Sequence, residues 1–281
     1  MTNYRASGEV EGYTLNQYSM SEYKGVLRIA TTNRPSWWWG AQQGGSESFV
    51  TTLKPELDKL VQVGRVGGLG KGERIYAVRF IDDVGYVVTF RQVDPLYTID
   101  LSDPAAPKVL GELEMLGYSA YLHPVGDGLL LGVGQDATPE GRRAGLQVQL
   151  FDVSDLAAPK RLDKEVLPGY TSSSVEWDQH AFLFWPKTGL AVVPYSDYTG
   201  TQGSAGAIGY RVANRKLSRI AVIDGGGNQG GYATPVDRAV VVGPRLFTLS
   251  DAGLLASDLS TLEPGTFIGF GTAAVPGGPV K

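Results

Sequence analysis

The chain repeats itself. The segment from Tyr97-Thr98-Ile99-Asp100-Leu101-Ser102-Asp103 to Pro107-Lys108 recurs as Gln149-Leu150-Phe151-Asp152-Val153-Ser154-Asp155 to Pro159-Lys160, which sets Asp100 and Asp152 52 residues apart. A fixed period of that size means that one supersecondary unit is stacked several times. Around each copy lie short runs of β-branched and aromatic residues, bounded by Gly, Pro, Asn and Asp. In the clearest unit the strand signals fall at 75–81, 85–90, 96–101 and 108–113, with prolines only between them, where a missing N–H costs no ladder bond. Helical periodicity is almost absent; its best candidate is the short stretch 55–60.

These observations predict an all-β fold: a β-propeller of about five four-stranded blades, closed into a ring or forming a partial arc of a larger propeller. The units run at about 8–70, 71–117, 118–168, 169–231 and 232–272, within a single domain covering 1–281. A β-sandwich has no reason to place the same turn motif at equal spacing. The 38 glycines and 16 prolines of the 281 residues suit many strands joined by tight turns.

Composition narrows the function. The net charge is −4 and the basic residues are scattered, which argues against a nucleic-acid groove, since that needs clustered Lys and Arg. There is no cysteine, so disulfides, thiolate metal sites and a Cys nucleophile are excluded. No apolar run approaches the roughly 18 residues of a transmembrane helix. The N-terminus, Met1-Thr2-Asn3-Tyr4-Arg5, shows no apolar signal segment, and a start inside strand-like sequence suggests a piece of a longer protein.

Several residues are candidates for chemistry. Trp37-Trp38-Trp39 follows Pro35 in a loop between two strands of the first unit; flat exposed rings of this kind contact sugars or proteins, although the same rings can cap the end of a core. Arg79, Arg91, Gln92 and Asp94 form a polar set in the second unit. Arg79 is a candidate for an anion in the central channel or for an Arg–Asp tie between blades, and Gln92 and Asp94 read as a face loop. His123 and His180 read as first-strand residues of successive units; two histidines fall short of the three or four close ligands that zinc takes, so a hydrogen-bonded structural histidine is the simpler reading. The Asp100/Asp103 and Asp152/Asp155 pairs resemble paired carboxylates, but their repetition at each turn favours capping of backbone N–H groups. The glycine run 225–231 lacks the Lys-Ser/Thr and the helix of a phosphate loop and reads as a connection.

Gly12-Tyr13-Thr14-Leu15-Asn16-Gln17-Tyr18-Ser19-Met20-Ser21-Glu22-Tyr23-Lys24-Gly25-Val26-Leu27-Arg28-Ile29-Ala30-Thr31-Thr32 resembles a block of the secreted bacterial and archaeal β-propeller domain family, distantly related to WD-repeat propellers. Residues 72–80, 85–96 and 121–124 extend the resemblance in order over nearly the whole chain, which is similar to the C-terminal part of such a domain. The resemblance implies an exported, secreted or cell-surface protein and assigns no catalytic residue. The function expected is a non-enzymatic extracytoplasmic scaffold, without a cofactor or bound metal, that holds a protein, peptide or glycan through face loops. The alternative is an enzyme with a polar or metal-assisted site at the channel around Arg79 and His123. Fold class alone does not separate the two.

Overall fold

The computed structural model describes residues 3–33, 45–90, 93–126, 128–199, 203–226, 228–229 and 232–270. The strands form successive antiparallel meanders. The first sheet contains β1 (Met20–Tyr23), β2 (Val26–Thr32), β3 (Ser48–Glu56) and β4 (Lys59–Leu69), and the second β5 (Arg74–Ile81), β6 (Val84–Phe90), β7 (Val93–Asp100) and β8 (Lys108–Leu116). The third contains β9 (Tyr118–Gly126), β10 (Leu129–Ala137), β11 (Arg143–Asp152) and β12 (Lys160–Pro168). In the fourth, β13 (Thr171–Ser172) and β14 (Leu183–Trp185) both pair with β15 (Leu190–Asp197), followed by β16 (Ser204–Ala213) and β17 (Lys216–Asp224). A small pair, β18 (Asn228–Gln229) and β19 (Tyr232–Ala233), precedes the fifth sheet of β20 (Val236–Val242), β21 (Arg245–Ser250), β22 (Gly253–Asp258) and β23 (Pro264–Gly269). Five antiparallel sheets of four strands, the first strand of the fourth being split into β13 and β14, are the all-β propeller architecture that the repeat predicts.

Local chemistry sets the turns. Lys24-Gly25 and Asn214-Arg215 close two-residue hairpins with both residues at positive φ, the geometry that follows the twist of the flanking strands. The longer connections of the repeat are closed by aspartates. Asp100 accepts from Ser102 N–H (2.9 Å), Asp103 from Ala105 N–H (2.9 Å), Asp152 from Ser154 N–H (3.0 Å) and Asp155 from Ala157 N–H (3.0 Å). Asp258 does the same for Ser260 (2.8 Å) and Thr261 (3.0 Å). These carboxylates serve turns.

Contacts divide the chain into two compact units, Met1–Pro168 with Asn214–Leu217, and Gly169–Ala213 with Ser218–Lys281. In the first, Ala30, Val50, Val78, Val87 and Ile99 fill the space between the first and second sheets. Val88, Leu96, Leu122, Leu130 and Phe151 do so between the second and third. In the second unit Leu190, Val192, Leu246, Leu255 and Leu262 form the core. Middle strands have both faces covered, so β11 is buried at seven consecutive positions from Gly145 to Phe151, its Gln147 and Gln149 as fully as the Leu146, Val148 and Leu150 with which they alternate.

Three local expectations are corrected. The stretch 55–60 is a hairpin: Pro55 pairs with Leu60 and Glu56 with Lys59, and Leu57 turns the chain at φ 59°. Asp94 and Pro95 lie in β7, opposite Met115 and Glu114. Among the described pairs the β6–β7 ladder runs from Val84 with Asp100 to Val88 with Leu96. His180 lies in a 3₁₀ turn, Gln179–Ala181, capped by Asp178, because the strand begins only at Leu183.

Candidate functional site

The site is assembled from the inner strands of the second and third sheets and from the segment that precedes the first. Arg79 is near the end of β5. Tyr121 and His123 are two residues apart on β9, so both side chains emerge on one face. Tyr18 enters from a 3₁₀ turn, Gln17–Ser19, held by a capping box: Asn16 accepts from Tyr18 N–H (3.0 Å), and the Ser19 hydroxyl accepts from Asn16 N–H (3.4 Å).

The four side chains meet. The Arg79 guanidinium lies 5.0 Å from the Tyr18 ring centre, within cation–π range. Tyr18 meets Tyr121 edge-on at 6.1 Å, and the Tyr121 and His123 rings are 5.9 Å apart. The Tyr121 hydroxyl is 2.9 Å from His123 Nδ1; in the tautomer where Tyr121 donates, the ring proton is on Nε2.

Electrostatics set what these groups can do. Burial, then the positive charge of Arg79, lowers the pKa of His123 to about 4, so the imidazole is neutral at pH 7. Burial likewise pushes Tyr121 up to about 12. A base of pKa 4 and an acid of pKa 12 are both far from the value suited to proton transfer at neutral pH. The arrangement is instead one permanent cation with neutral hydrogen-bonding groups beside it. Among the described residues no carboxylate pairs with the half-buried Arg79, and no three of His, Cys, Asp and Glu come together as a metal cluster.

Of the residues singled out in the sequence, Arg79 and His123 are therefore brought to one place. Trp37, Trp38, Trp39 and Gln92 lie outside the described residues, and Asp94 is described only as a backbone position in β7. His180 belongs to the second unit, where Asp178 holds its Nδ1 at 3.2 Å and also pairs with Arg238 at 2.6 Å. Sequence reasoning missed Tyr18 and Tyr121. The period-two spacing of Tyr121 and His123 was the available signal for the second; nothing local marks the first. It also missed an aromatic cluster at the strand ends: the Tyr118 ring lies 4.5 Å from that of Tyr76 and 4.9 Å from that of Phe90. Arg74 stacks on Tyr76 at 4.7 Å and bonds its hydroxyl at 2.9 Å, and Arg143 lies 6.0 Å from the Tyr118 ring.

Among the described residues, no helix is long and apolar enough to cross a membrane. The model of the beta propeller domain matches residues 1–262. An uncharacterised protein of Methanocaldococcus jannaschii is 38% identical over 244 residues, covering 87% of this chain and 35% of the relative. An uncharacterised protein of Archaeoglobus fulgidus is 42% identical over 185 residues, covering 66% of this chain and 27% of the relative. The chain thus spans about a third or less of the length of these curated relatives. A europium-containing methanol dehydrogenase shares the fold at a TM-score of 0.50 and 10% identity, covering 95% of this chain and 51% of that one.

Proposed function

We propose that this chain, which belongs to the beta propeller domain family, is a non-enzymatic extracytoplasmic scaffold whose Arg79 guanidinium receives a carboxylate of a protein, peptide or glycan partner. One observation carries the reading: the half-buried Arg79 guanidinium has a ring beneath it and no acid paired with it among the described residues. A guanidinium presents a fork of donors that matches a carboxylate two bonds at a time, and such charged bonds are about twice as strong as neutral ones. The Tyr18 ring stands 5.0 Å from the guanidinium, within cation–π range. Because His123 stays neutral at pH 7, it adds no second charge to repel or compete with Arg79. The extracytoplasmic placement rests on the family resemblance of residues 12–32, and protease accessibility on intact cells checks it.

Calorimetric titration tests the site. Galacturonic acid and an acetylated tripeptide with a free C-terminus serve as acidic probes, and the amidated tripeptide serves as the neutral control. The acids are expected to bind, the amide to bind at least about tenfold more weakly, and Arg79→Gln to lose the acids by a similar factor. Equal binding of acid and amide, or acid binding unchanged in Arg79→Gln, contradicts the reading.

A further inference from the structure

Two inner strands depart from the repeat in the same way. In the second, third and fifth sheets the inner strands β5, β9 and β20 run unbroken for 8, 9 and 7 residues. In the first sheet the inner edge begins as a bridge from Tyr13 to Thr32, leaves the ladder for the 3₁₀ turn Gln17–Ser19, and returns as β1. The fourth sheet has a longer break. β13 pairs with Ser196 and Asp197 of β15, two 3₁₀ turns follow at Ser174–Glu176 and Gln179–Ala181, and β14 then pairs with Leu190 to Val192. In each case the turn reaches an arginine on the inner strand of the following sheet: Tyr18 meets Arg79 of β5, and Asp178 meets Arg238 of β20. The first break builds the Arg79 site. The second lies wholly within the second unit and is made of different chemistry.

The fourth-sheet break is anchored at its base and bare at its tip. Ser173 and Glu176 close a capping box: Val175 N–H donates to the Ser173 hydroxyl at 3.3 Å, and Ser173 N–H donates to the Glu176 carboxylate at 3.1 Å. Val175 and Ala181 are fully buried. The Trp177 and Asp178 N–H groups both donate to the Ser174 carbonyl, at 3.1 and 2.8 Å. On this base Trp177 stands 68% exposed. An indole fixed at its backbone and open to solvent offers area for stacking at little further entropic cost. Polar groups sit beside it. Asp178 Oδ1 accepts from His180 N–H at 3.1 Å and holds His180 Nδ1 at 3.2 Å, while its Oδ2 pairs with Arg238 at 2.6 Å. Because a carboxylate only accepts, Nδ1 carries the proton, and Nε2 of the neutral ring is an acceptor on a side chain that is 75% exposed. Arg238, partly exposed, brings donors to the same place. Asp237 and Asp251 add charge: burial, and then Asp251, push the Asp237 carboxyl above its ordinary value. Three carboxylates to one guanidinium leave a surplus that repels an anion, and Arg238 at the edge repels a cation. Hydroxyl groups, which both donate and accept, use what remains.

We infer that Trp177, His180 and Arg238 form a second binding site, independent of Arg79, for a neutral sugar chain. The Trp177 ring covers the C–H face of one sugar, His180 Nε2 accepts from a hydroxyl, and the Arg238 guanidinium donates to another. Trp177 and His180 are three residues apart, at most about 11 Å between Cα atoms, so the site suits a short chain of sugars better than a single ring. In the full chain at pH 7, the Trp177 indole N–H signal and the His180 imidazole signals are followed while neutral tetrasaccharides are titrated to about 20 mM, a range that covers weak binding. Cellotetraose, maltotetraose and N-acetylchitotetraose are the probes. At least one is expected to move both signals to saturation along a common curve, and galacturonic acid is expected to leave both still. Trp177→Ala, read by the His180 signal, is expected to weaken that sugar at least about tenfold. His180→Ala, read by the Trp177 signal, is a second variant with a smaller loss. Both side chains are exposed, so an unchanged unfolding midpoint is expected for each. Arg79→Gln is expected to leave the affinity as it is, which separates this site from the carboxylate site. No movement with any of the three tetrasaccharides, an affinity unchanged in Trp177→Ala, or one lost equally in Arg79→Gln overturns the proposal. Movement by galacturonic acid as strong as by the neutral sugars overturns it too.

Discussion

Two arginines of the first unit, Arg28 and Arg79, carry the same charge into opposite roles. Arg28 is 4% exposed, and the hydrogen bonds of its two terminal nitrogens are spent on the fold, while its Nε is buried without a partner among the described residues. It donates to the Asp82 carbonyl of the second sheet and, at 2.6 Å, to the Ser21 hydroxyl of the first. Its guanidinium also lies 5.1 Å from the Phe80 ring and 5.3 Å from that of Tyr23. Arg79 has an aromatic ring on one side, a neutral histidine and tyrosine nearby, and no carboxylate paired with it among the described residues. The lesson is one of accounting for acceptors. A cation whose donors end on backbone and hydroxyl groups is architecture; a cation held in place with its donors unspent is prepared for something that arrives.

The largest effect expected to test this contrast is on Arg28. Arg28→Ala removes charged bonds to two acceptors and strands the Asp82 carbonyl, so urea unfolding should show a loss of about 3 kcal/mol; a loss below about 1 kcal/mol would make Arg28 as dispensable as Arg79. Next comes pH. The unfolded chain has His123 at its ordinary value near 6.5, while the folded chain holds it near 4. Between those values the unfolded state binds the proton and the folded state does not. Stability therefore falls as pH drops from about 6.5 to about 4, by on the order of 3 kcal/mol, and His123→Gln should flatten that slope. Smaller still is Asp152→Ala, which deletes the bonds from Ser154 N–H and Oγ and the pairing with Arg215; a cost of about 1 kcal/mol in the same assay fits a turn carboxylate. Arg79→Gln should change stability by no more than about 0.5 kcal/mol, and a cost comparable to that of Arg28→Ala would erase the distinction between the two.

Much of the architecture was legible because it repeats. The Asp-Ser-Asp turns appear twice at fixed spacing, and their carboxylates do bond the backbone two residues on. Strand positions followed from β-branched runs. The joints between sheets were hidden: Gly64 and Gly111 look like ordinary interruptions of a strand, and only the approach of Pro104 and Leu156 explains them. Half of the candidate site was visible as polar residues in strand-like sequence, Arg79 and His123. Tyr18 was not, because its place against Arg79 depends on a capped turn and on packing against residues more than fifty positions away. The stretch 55–60 misled because its composition suits a short helical turn, whereas the ladder between β3 and β4 continues through Glu56 and Lys59 and forces a two-residue hairpin.

The most direct measurement of the central claim uses the small number of histidines. His123 and His180 are the only two in the chain, so their imidazole proton signals are readily assigned by single substitution. Galacturonic acid is titrated in at pH 7. The account predicts that the His123 signal moves to saturation, that the His180 signal stays still, and that Arg79→Gln abolishes the movement. A His123 signal that never moves, or that moves equally in Arg79→Gln, contradicts a carboxylate site at Arg79.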